Sequence, residues 1–543
     1  MDAVNGFLQG LSLALTPELL LAAFLGALAG TLIGVLPGLG PVAGAALVLP
    51  LTFSYSPAIG LILIAAIYLG AQYGGSTSSV LLNIPGDASA VVATFDGHEM
   101  AKQGRAGPAL TIMAVGSFIA GTVGLTILVF SATSVSRVAL EFGPPEYFAL
   151  TAGGLLVLAR ISGGSVAGGL LPMILGIAFA TVGLEAATSY PRFTFGNNDL
   201  SLGLSIATVA VGLYGISEML YLIEDKDADR RPMRIGLRDL MPSRQEWRRS
   251  VAPWGRGSLL GFFFGLLPVP SATLSTFTSY KLEQTVSKHR KELGTGAVEG
   301  IAGPEAANNS AAIGSLVPVL VLGLPFSATL ALMISAMVVQ GIQPGPLILT
   351  QRPDLFWSVI AAMAVANLML LVLNLPMVGV WVRVLQIRRH YLVASIMLIA
   401  AIGSFSVANN MIDVRLMLAI GIVGYVLRKF NFSLASLLVG LVLGPLIEKY
   451  FMQSMFISRG DPMYLLSSPV AVGIWVLVTA VIVGGLFAPF TRRRLERRGM
   501  LPNLMASASK GPEPGDTGVG SQGLTVRKDG AAGTDDAEED VRG

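Results

Sequence analysis

Runs of about 20 apolar residues recur along the chain, and each is long enough to cross roughly 30 Å of hydrocarbon as a helix. The clearest are residues 109–131, 201–223, 355–382 and 469–490. A membrane β-barrel would instead have short segments in which apolar and polar residues alternate. The pattern therefore predicts an all-α polytopic membrane protein.

The composition agrees with this class of protein. Hydrophobic residues make up 53% of the 543 residues and charged residues only 13%, against about 25% charged in soluble domains. The chain has no cysteine, which excludes disulfides and thiolate chemistry. The net charge of +3 comes from arginines in loops and in the tail. No Lys or Arg precedes Lys102, so we expect no cleaved signal peptide.

One long charged interruption divides the chain near its middle. It covers residues 224–256 and separates a first membrane repeat, 1–223, from a second, 257–500. From 501 to 543 the sequence is rich in Ser, Gly, Pro and Asp, a composition that cannot bury a core. We interpret 224–256 as a cytoplasmic linker and 501–543 as a disordered cytoplasmic tail.

The two halves share short motifs in the same order. "GTLIGVLPGLGP" at 30–41 matches "GFFFGLLPVPSA" at 261–272, "LLNIPGDASA" at 81–90 matches "VLGLPFSATL" at 321–330, and "QGRAGPAL" at 103–110 matches "QGIQPGPL" at 340–347. Three matches in one order indicate an internal duplication, which is common in secondary transporters.

The positions of basic residues predict how the halves are oriented, because basic clusters mark cytoplasmic loops. Segment 257–280 has basic clusters on both sides and a central Pro-Val-Pro, and its arms of about ten residues are too short to span. We interpret it as a re-entrant hairpin from the cytoplasmic side. Its counterpart at 18–50 has no basic flank and is predicted to enter from the opposite side. These features predict two inverted repeats with about 11 transmembrane helices and two re-entrant hairpins.

Six segments rich in Gly, Pro and short polar residues interrupt the apolar sequence. Lipid cannot form hydrogen bonds with the unpaired backbone N–H and C=O groups of a broken helix. Such breaks must therefore be buried in protein or line a cavity. The predicted breaks are 36–41, 73–79 and 83–89 in the first half and 266–275, 303–310 and 322–329 in the second. Glycine permits close approach of a ligand, and a helix that restarts after a break directs free N–H groups toward it. Carboxylate substrates suit such a site, and unwound carbonyls can hold Na⁺.

We predict a substrate- and ion-binding site at these breaks, because polar side chains are costly in hydrocarbon. The candidate residues are Gly38, Gly40, Gly75, Ser76, Thr77, Ser78, Asn83, Pro85, Gly86, Asp87, Pro304, Glu305, Asn308, Asn309, Pro325 and Ser327. Na⁺ is expected near Asn83 and Asn308, and the sequence gives no other metal site.

Several of these residues also have a purely structural interpretation. Gly and Ser in membrane helices often serve close helix packing. Asp87, like its counterpart Ser327, stands where an N-cap residue belongs. Glu305 follows Pro304 in what we expect to be the first turn of a helix, where the dipole favours a carboxylate. Its apolar surroundings make it the preferred candidate for ion coupling, with loop bracing as the alternative.

Catalytic chemistry finds little support in the sequence. His98, His289 and His390 all lie in charged regions, and HExxH, CxxC and Walker motifs are absent. We therefore expect no enzyme activity, no catalytic residue and no cofactor, with Na⁺ or H⁺ as the coupling ion. A membrane enzyme acting on lipid or peptide and a passive channel are the alternatives.

Five motifs together resemble a known family. They are "GVLPGLGP" at 34–41, "YGGSTSSVLLNIPGDASAVVATFDGHEMAKQGRAGPAL" at 73–110, "FGPPEYFAL" at 142–150, "GLYGISEML" at 212–220 and "GPEAANNSAAIGSLVPVLVLGLP" at 303–325. In order and spacing they resemble the large membrane subunit of the tripartite tricarboxylate transporters, over nearly the whole chain to residue 500.

This resemblance implies a bacterial inner-membrane permease that imports citrate-like or other carboxylates. It also implies two partners, a small four-helix membrane subunit and a periplasmic solute-binding protein, with Na⁺ or H⁺ driving import. The basic cluster at 492–498 places the C-terminus in the cytoplasm.

Two positions depart from the family pattern. Val269, between Pro268 and Pro270, and Phe326, after Pro325, each replace a glycine with a bulkier residue. We expect these side chains to line a reshaped pocket in the second half and to select a substrate other than citrate.

Overall fold

The computed structural model describes residues 3–36, 38–162, 165–185, 188–224, 237–387, 389–408 and 410–497. Within these ranges the regular structure is helical apart from one small antiparallel sheet, in which β1 (Gly183–Leu184) pairs with β2 (Pro191–Arg192). The predicted all-α class is confirmed. The predicted tail, 501–543, lies outside the described residues, as does 225–236 of the predicted linker.

The described helices of the first half run from the N-terminus to Glu224. They are α1 (Ala3–Ala14), α2 (Pro17–Val35), α3 (Gly40–Thr52), α4 (Pro57–Leu82), α5 (Val91–Lys102), α6 (Ala106–Leu140), α7 (Pro144–Ser162), α8 (Val166–Ala180), α9 (Ile206–Ala210) and α10 (Ser217–Glu224). A 3₁₀ turn lies at Asn198–Leu200, and a π-helical segment, Val211–Ile216, joins α9 to α10.

The described helices of the second half begin at Arg244. They are α11 (Arg244–Gly265), α12 (Ser271–Val286), α13 (Glu299–Gly314), α14 (Ala328–Val339), α15 (Ile348–Gln351), α16 (Pro353–Asn374), α17 (Val378–Val384), α18 (Arg389–Ala408), α19 (Met411–Lys429), α20 (Leu434–Ile457) and α21 (Pro469–Arg497). Two 3₁₀ turns lie at Leu237–Leu240 and Pro462–Leu466, and a π-helical segment at Pro318–Leu322 follows α13. The described residues up to Val483 form one compact unit.

Seven of the described helical stretches are long and apolar enough to cross a membrane, which confirms a multi-pass protein. They are Pro17–Val35, Pro57–Leu82, Ala106–Leu140, Ile206–Glu224, Glu299–Leu322, Pro353–Asn374 and Leu434–Ile457. Five shorter apolar helices, of 10–17 residues, accompany them. The run predicted at 355–382 is interrupted between Asn374 and Val378. The finer count of about 11 crossings stays a prediction.

Two of the predicted breaks are wrong. Residues 73–79 lie inside the continuous helix α4, and 303–310 lie inside α13, which begins at Glu299. Glu305 therefore lies in the second turn of its helix, whereas the sequence predicts the first. Every residue of α13 is buried, and this packing outweighs the cost of about 3 kcal/mol for a proline inside a helix, here Pro304.

The other four breaks occur where the sequence predicts them. Each separates two helices: 36–39 lies between α2 and α3, 83–90 between α4 and α5, 266–270 between α11 and α12, and 323–327 precedes α14. Gly38 and Gly40 have φ of 88° and 56°, and Gly323 has φ of 72°. These left-handed conformations favour glycine, which explains the residue type at these three positions.

The arms of the second-half break are longer than predicted. Helix α11 has 22 residues and α12 has 16, whereas the sequence predicts arms of about ten residues each. The difference arises because α11 begins at Arg244, inside the segment interpreted as a linker, and is capped there by Ser243 and Glu246. A side-chain capping box of this kind starts a helix wherever the following residues can pack.

Two helix pairs, one in each half, pack through glycines with the same spacing. In α2, Gly26, Gly30 and Gly34 face Leu63, Ile67 and Ala71 of α4, and in α11, Gly257, Gly261 and Gly265 face Gly303, Ala307 and Ala311 of α13. A Cβ on Gly30 would lie 2.5 Å from the carbonyl oxygen of Ile67, so only glycine allows this approach. Such contacts hold α4 and α13 firmly in place.

Candidate functional site

Two buried helices, one from each half, meet through polar side chains. The Ser76 hydroxyl of α4 donates a hydrogen bond of 2.6 Å to Oε2 of Glu305 in α13. Both residues are almost fully buried, with exposed fractions of 2% and 4%. Glu305 lies in the membrane-length stretch Glu299–Leu322, in whose most apolar part 94% is buried inside the protein. The contact therefore faces protein and is shielded from lipid.

A third helix completes the surroundings of the Glu305 carboxylate. Ser117 of α6 donates to Oε1 at 3.0 Å, and the Asn309 amide donates to the same oxygen at 3.2 Å and to Ser117 Oγ at 2.7 Å. Within the described chain, no basic side chain forms an ion pair with this carboxylate. Ser117 was not predicted, because one serine in a long apolar helix carries no distinguishing signal.

Asn308 lies on the same helix without a partner for its side chain. Its exposed fraction is 1%, and neither Oδ1 nor Nδ2 forms a hydrogen bond. The Oδ1 atom of Asn309 is also unpaired. An unpaired buried amide costs about 1–3 kcal/mol, so a native structure that retains one has a reason to do so. These atoms have hydrogen-bonding capacity that the described residues do not use.

Polar side chains extend along one face of α4 between the first-half break and Glu305. Tyr68, Gln72 and Ser76 follow one another at intervals of four residues, which places them on one side of a helix. Gln72 accepts a hydrogen bond of 3.0 Å from Ser89, in the first-half break. Ser76 contacts Glu305 of the second half. The face therefore connects the two halves.

Thr77 and Ser78 have hydroxyl groups that serve their own helix. Thr77 donates to the Tyr73 carbonyl at 3.2 Å, and Ser78 donates to the Gly75 carbonyl at 2.9 Å. Both contacts are of the back-bonding type that occurs within one turn of a helix. The structure therefore supports Ser76 as a site residue more strongly than its two neighbours.

The first-half glycines bring three segments of backbone together. A Cβ on Gly86 would lie 2.5 Å from the Cα of Gly75 and 2.6 Å from the Gly34 carbonyl, so close packing explains Gly75 and Gly86. Gly40 faces Asp87 across the break, since a Cβ added to Gly40 would lie 3.8 Å from the Cβ of Asp87. The two breaks, 36–39 and 83–90, are thus neighbours in space.

Asp87 makes the contacts of a turn-stabilising residue. Its Oδ1 accepts hydrogen bonds from the Ala90 N–H at 3.0 Å and from the Ser89 hydroxyl at 2.7 Å, just before α5. Its counterpart Ser327 occupies the N-cap of α14, but its side chain accepts no hydrogen bond from that helix. The N-cap residue of α5 is Ala90, so Asp87 stabilises the turn before the helix and is not its N-cap, and Ser327 stands at an N-cap without making a capping hydrogen bond.

Asn83 and Pro85 lie at the edge of this arrangement. Asn83 ends α4 with φ of 58° and is exposed, and Pro85 is half-buried. Asn83 follows Ser76 by seven residues, which corresponds to about 10 Å along a helix axis. The described residues contain no group of three or more acidic or His side chains that would hold a metal ion. Of the two residues predicted near Na⁺, Asn308 is buried and unpaired whereas Asn83 is exposed, and the Na⁺ site stays a prediction.

The two residues that depart from the family pattern, Val269 and Phe326, are packed inside the protein. Val269 belongs to a buried cluster with Val157 and Val478. Phe326 is 6% exposed, and its ring fills the space left by the missing side chain of Gly154 in α7. Apolar contacts therefore accommodate both bulky residues, and neither is among the hydrogen-bonding partners of Glu305.

A second buried carboxylate joins the halves outside the predicted site. Asp96 of α5 accepts three backbone hydrogen bonds of 2.8 Å, from Gly294, Gly296 and Ala297, and one of 2.9 Å from the Tyr280 hydroxyl. The donors all belong to the second half. This cluster could not be predicted from the sequence, because its donors are mostly backbone N–H groups.

A buried polar cluster inside a polytopic helical chain is typical of membrane transport proteins. The model of the family described as "Tripartite tricarboxylate transporter TctA family" matches residues 20–439, and the chain belongs to this family. The resemblance found in the motifs is confirmed. The chain is thus a multi-pass membrane protein of a tricarboxylate transporter family, in which tripartite systems contain further subunits.

Two relatives from Agrobacterium vitis are similar over very different lengths. A protein named "Uncharacterized 52.8 kDa protein in TAR-I ttuC' 3'region" is 42% identical over 494 residues, covering 91% of this chain and 98% of the relative. An "Uncharacterized protein in TAR-II ttuC' 3'region" is 42% identical over 234 residues, covering 43% of this chain and 97% of the relative. No solved structure matches the chain.

Proposed function

We propose that the chain is the permease subunit of a secondary transporter that imports tricarboxylates or related carboxylates, driven by an ion gradient and supplied by a binding protein. One observation carries this proposal: Glu305 and Asn309 meet Ser76 and Ser117 inside the protein, next in sequence to the unpaired buried amide of Asn308, whereas helices that face hydrocarbon would carry only apolar residues. Polar groups at such depth are rare unless they bind a substrate or ion.

The chemistry of the cluster favours coupling to a cation. Glu305 has hydroxyl and amide donors but no basic partner among the described residues. A carboxylate beside a carboxylate substrate would repel it, and a buried unpaired charge is costly. Binding of H⁺ or Na⁺ would remove both penalties, so cation and substrate would enter together. Asn308, with its free amide oxygen and N–H groups, is placed to contact either of them.

The two halves form an inverted repeat in this proposal, with about 11 crossings and two hairpins. The matching motifs at 30–41 and 261–272 support the repeat, because their glycines pack α2 on α4 and α11 on α13 in the same way. Alternating access would move one half against the other around the polar cluster. The protein would reside in the bacterial inner membrane with its C-terminus in the cytoplasm.

Two partners belong to this proposal. A small four-helix membrane subunit would accompany the chain in the membrane, and a periplasmic solute-binding protein would deliver the substrate. The tripartite character of the family supports further subunits. Our expectation that Val269 and Phe326 select a substrate other than citrate also stays a proposal. It would fail if Val269→Gly and Phe326→Gly left substrate preference and rate unchanged.

The test is uptake of labelled di- and tricarboxylates into proteoliposomes that contain the chain and both partners. We expect accumulation against the substrate gradient when a Na⁺ or H⁺ gradient is imposed. We also expect Glu305→Gln to abolish dependence on that gradient, while Glu305→Asp retains part of it. Downhill flux alone would identify a channel, and chemical conversion of the substrate would identify an enzyme. Either result would refute the proposal.

A further inference from the structure

A basic cavity of about 710 Å³ lies between the first turns of α11 and the C-terminal end of α12. Five cationic residues line it, namely Arg244, Arg248, Arg249, Arg256 and Lys288, together with Glu299. The cavity touches α13 at Glu299, six residues before Glu305, but it differs in chemistry, because it is rich in cations whereas Glu305 has no basic partner among the described residues. It therefore requires an explanation beyond the proposed transport function.

The ion pairs around this cavity leave an excess of positive charge. Arg249 pairs with Glu292 at 2.8 Å and with Glu299 at 2.6 Å, and Arg256 pairs with Glu283 at 2.7 Å. The remaining three cations, Arg244, Arg248 and Lys288, are exposed and form no ion pair within the described part of the chain. Five cations thus face three carboxylates, and the cavity attracts anions.

The face of α11 that carries Arg244 and Arg248 becomes apolar further along the helix. Val251, Leu259 and Phe263 are 63%, 63% and 60% exposed. Between them lies Gly255, where an added Cβ would meet nothing within 4 Å, so the helix surface is open there. Spacings of three and four residues place these positions on one side of the helix. The basic end of α11 therefore adjoins an apolar strip, which is formed by Val251, Leu259 and Phe263.

We propose that this cavity and strip bind an anionic phospholipid. Its phosphate lies against Arg244, Arg248 and Lys288, because guanidinium groups bind phosphate oxygens through paired hydrogen bonds. Its acyl chains lie along Val251, Leu259 and Phe263, across the open surface at Gly255. A free phosphate ion would use only the cavity, whereas a lipid uses both features. Basic pockets beside membrane helices are known to hold anionic headgroups in this way.

The test is a titration of the purified full chain in detergent, followed by native mass spectrometry. The probes are long-chain phosphatidylglycerol, long-chain phosphatidylcholine, dihexanoyl phosphatidylglycerol and inorganic phosphate. We expect long-chain phosphatidylglycerol to bind at least tenfold more tightly than each of the other three. Equal binding of phosphatidylcholine would refute the charge argument. Equal binding of inorganic phosphate or the short-chain lipid would refute the role of the apolar strip.

A matched pair of triple variants locates the site. Arg244→Gln, Arg248→Gln and Lys288→Gln together should weaken binding of phosphatidylglycerol on the order of 100-fold, since one basic residue near an anionic headgroup contributes roughly fivefold. The control, Lys281→Gln, Arg290→Gln and Lys291→Gln, removes the same charge from residues that do not line the cavity. Equal loss of affinity in both variants would overturn the proposal.

A second measurement separates lipid binding from folding. Added phosphatidylglycerol should raise the Tm of the wild-type chain and of the control variant, because a ligand that binds the folded state stabilises it. It should leave the Tm of the cavity variant unchanged, although all three proteins should have similar Tm values without lipid. A lipid-induced rise of equal size in the cavity variant would contradict the assigned site.

Discussion

Two adjacent amides in α13 show how much depends on the individual residue. Asn308 and Asn309 have the same side chain and the same 1% exposure. Asn309 donates hydrogen bonds to Ser117 and Glu305, whereas both polar atoms of Asn308 are unpaired. A helical step of 100° points the two amides at different neighbours. The first stabilises the cluster, and the second is available to a ligand.

We predict opposite outcomes for the two leucine substitutions. Asn309→Leu should lower the free energy of unfolding by about 1–3 kcal/mol, because it removes the amide that donates to Ser117 and one of the three side-chain donors to Glu305. Asn308→Leu should leave it unchanged or higher, because no hydrogen bond is lost, yet it should reduce uptake at least tenfold. The measurements are Tm in buffer without Na⁺ or substrate, and uptake by proteoliposomes. Loss of stability in Asn308→Leu would contradict our interpretation of its free amide.

A second residue-scale prediction compares two serines of α4. Ser76→Ala removes a hydrogen bond to the buried Glu305 carboxylate and should destabilise the protein by about 1–3 kcal/mol and slow uptake. Ser78→Ala removes only a bond to its own helix and should change stability by less than about 0.5 kcal/mol. Uptake and Tm of both variants check this, and equal effects would argue against a special role for Ser76.

At the scale of the element, close glycine contacts fix the helices that carry the site. Gly30 of α2 packs on the backbone of Ile67 in α4, and Gly261 of α11 packs on the backbone of Ala307 in α13. A side chain at Gly30 would push α4, which carries Ser76, away from α2. A side chain at Gly261 would push α13, which carries Glu305, away from α11. The polar cluster therefore depends on small residues that never touch it.

We expect Gly30→Ala and Gly261→Ala each to lower the free energy of unfolding by about 1–3 kcal/mol through overpacking. The control is Gly255→Ala, a helical glycine with open space around the new methyl group, which should raise stability by up to about 1 kcal/mol. Thermal unfolding in detergent distinguishes these outcomes. Comparable losses in all three variants would contradict the packing argument, because helix propensity alone favours alanine over glycine.

At the scale of the whole molecule, the turn between α5 and α6 holds the two halves together. Arg105 donates to Oε1 of Glu246 at 2.6 Å, and Gln103 donates to the Thr295 carbonyl at 2.8 Å. Asp96, on α5, adds four further hydrogen bonds from the second half. Any motion of one half against the other must stretch or carry along this junction.

The junction makes stability depend on pH. Burial alone would raise the pKa of Glu246, but hydrogen bonds from Arg105 and Ser243 outweigh this effect, and the pKa is lowered. A carboxylate with a lowered pKa contributes stability above its ordinary pKa of about 4.3. That contribution is lost as the pH falls through the lowered value.

We therefore expect Glu246→Gln to cost about 1–3 kcal/mol at pH 7 and progressively less as the pH falls below about 4. The control, Glu99→Gln, removes an exposed pair with Lys102 and should cost less than about 1 kcal/mol. Tm as a function of pH provides the comparison. A difference between Glu246→Gln and the wild type that persisted unchanged at low pH would contradict the assigned ion pair.

The sequence by itself determined the class of protein and the composition of its site. Long apolar runs require membrane helices, because hydrocarbon excludes an unpaired backbone. The breaks at 36–41 and 322–329 were predictable because glycine and proline act locally on φ and on hydrogen bonding. The polar run at 303–310 was recognisable because such residues are rare in hydrocarbon. The five motifs of the chain identified the family.

Only the tertiary structure decided which of these segments break and which polar groups meet. The segments at 73–79 and 303–310 stay helical because the packing of α4 and α13 outweighs the local preferences of Gly and Pro. The contacts of Ser76 and Ser117 with Glu305 join residues more than 180 positions apart. No local pattern encodes such pairs, since they depend on how three helices cross.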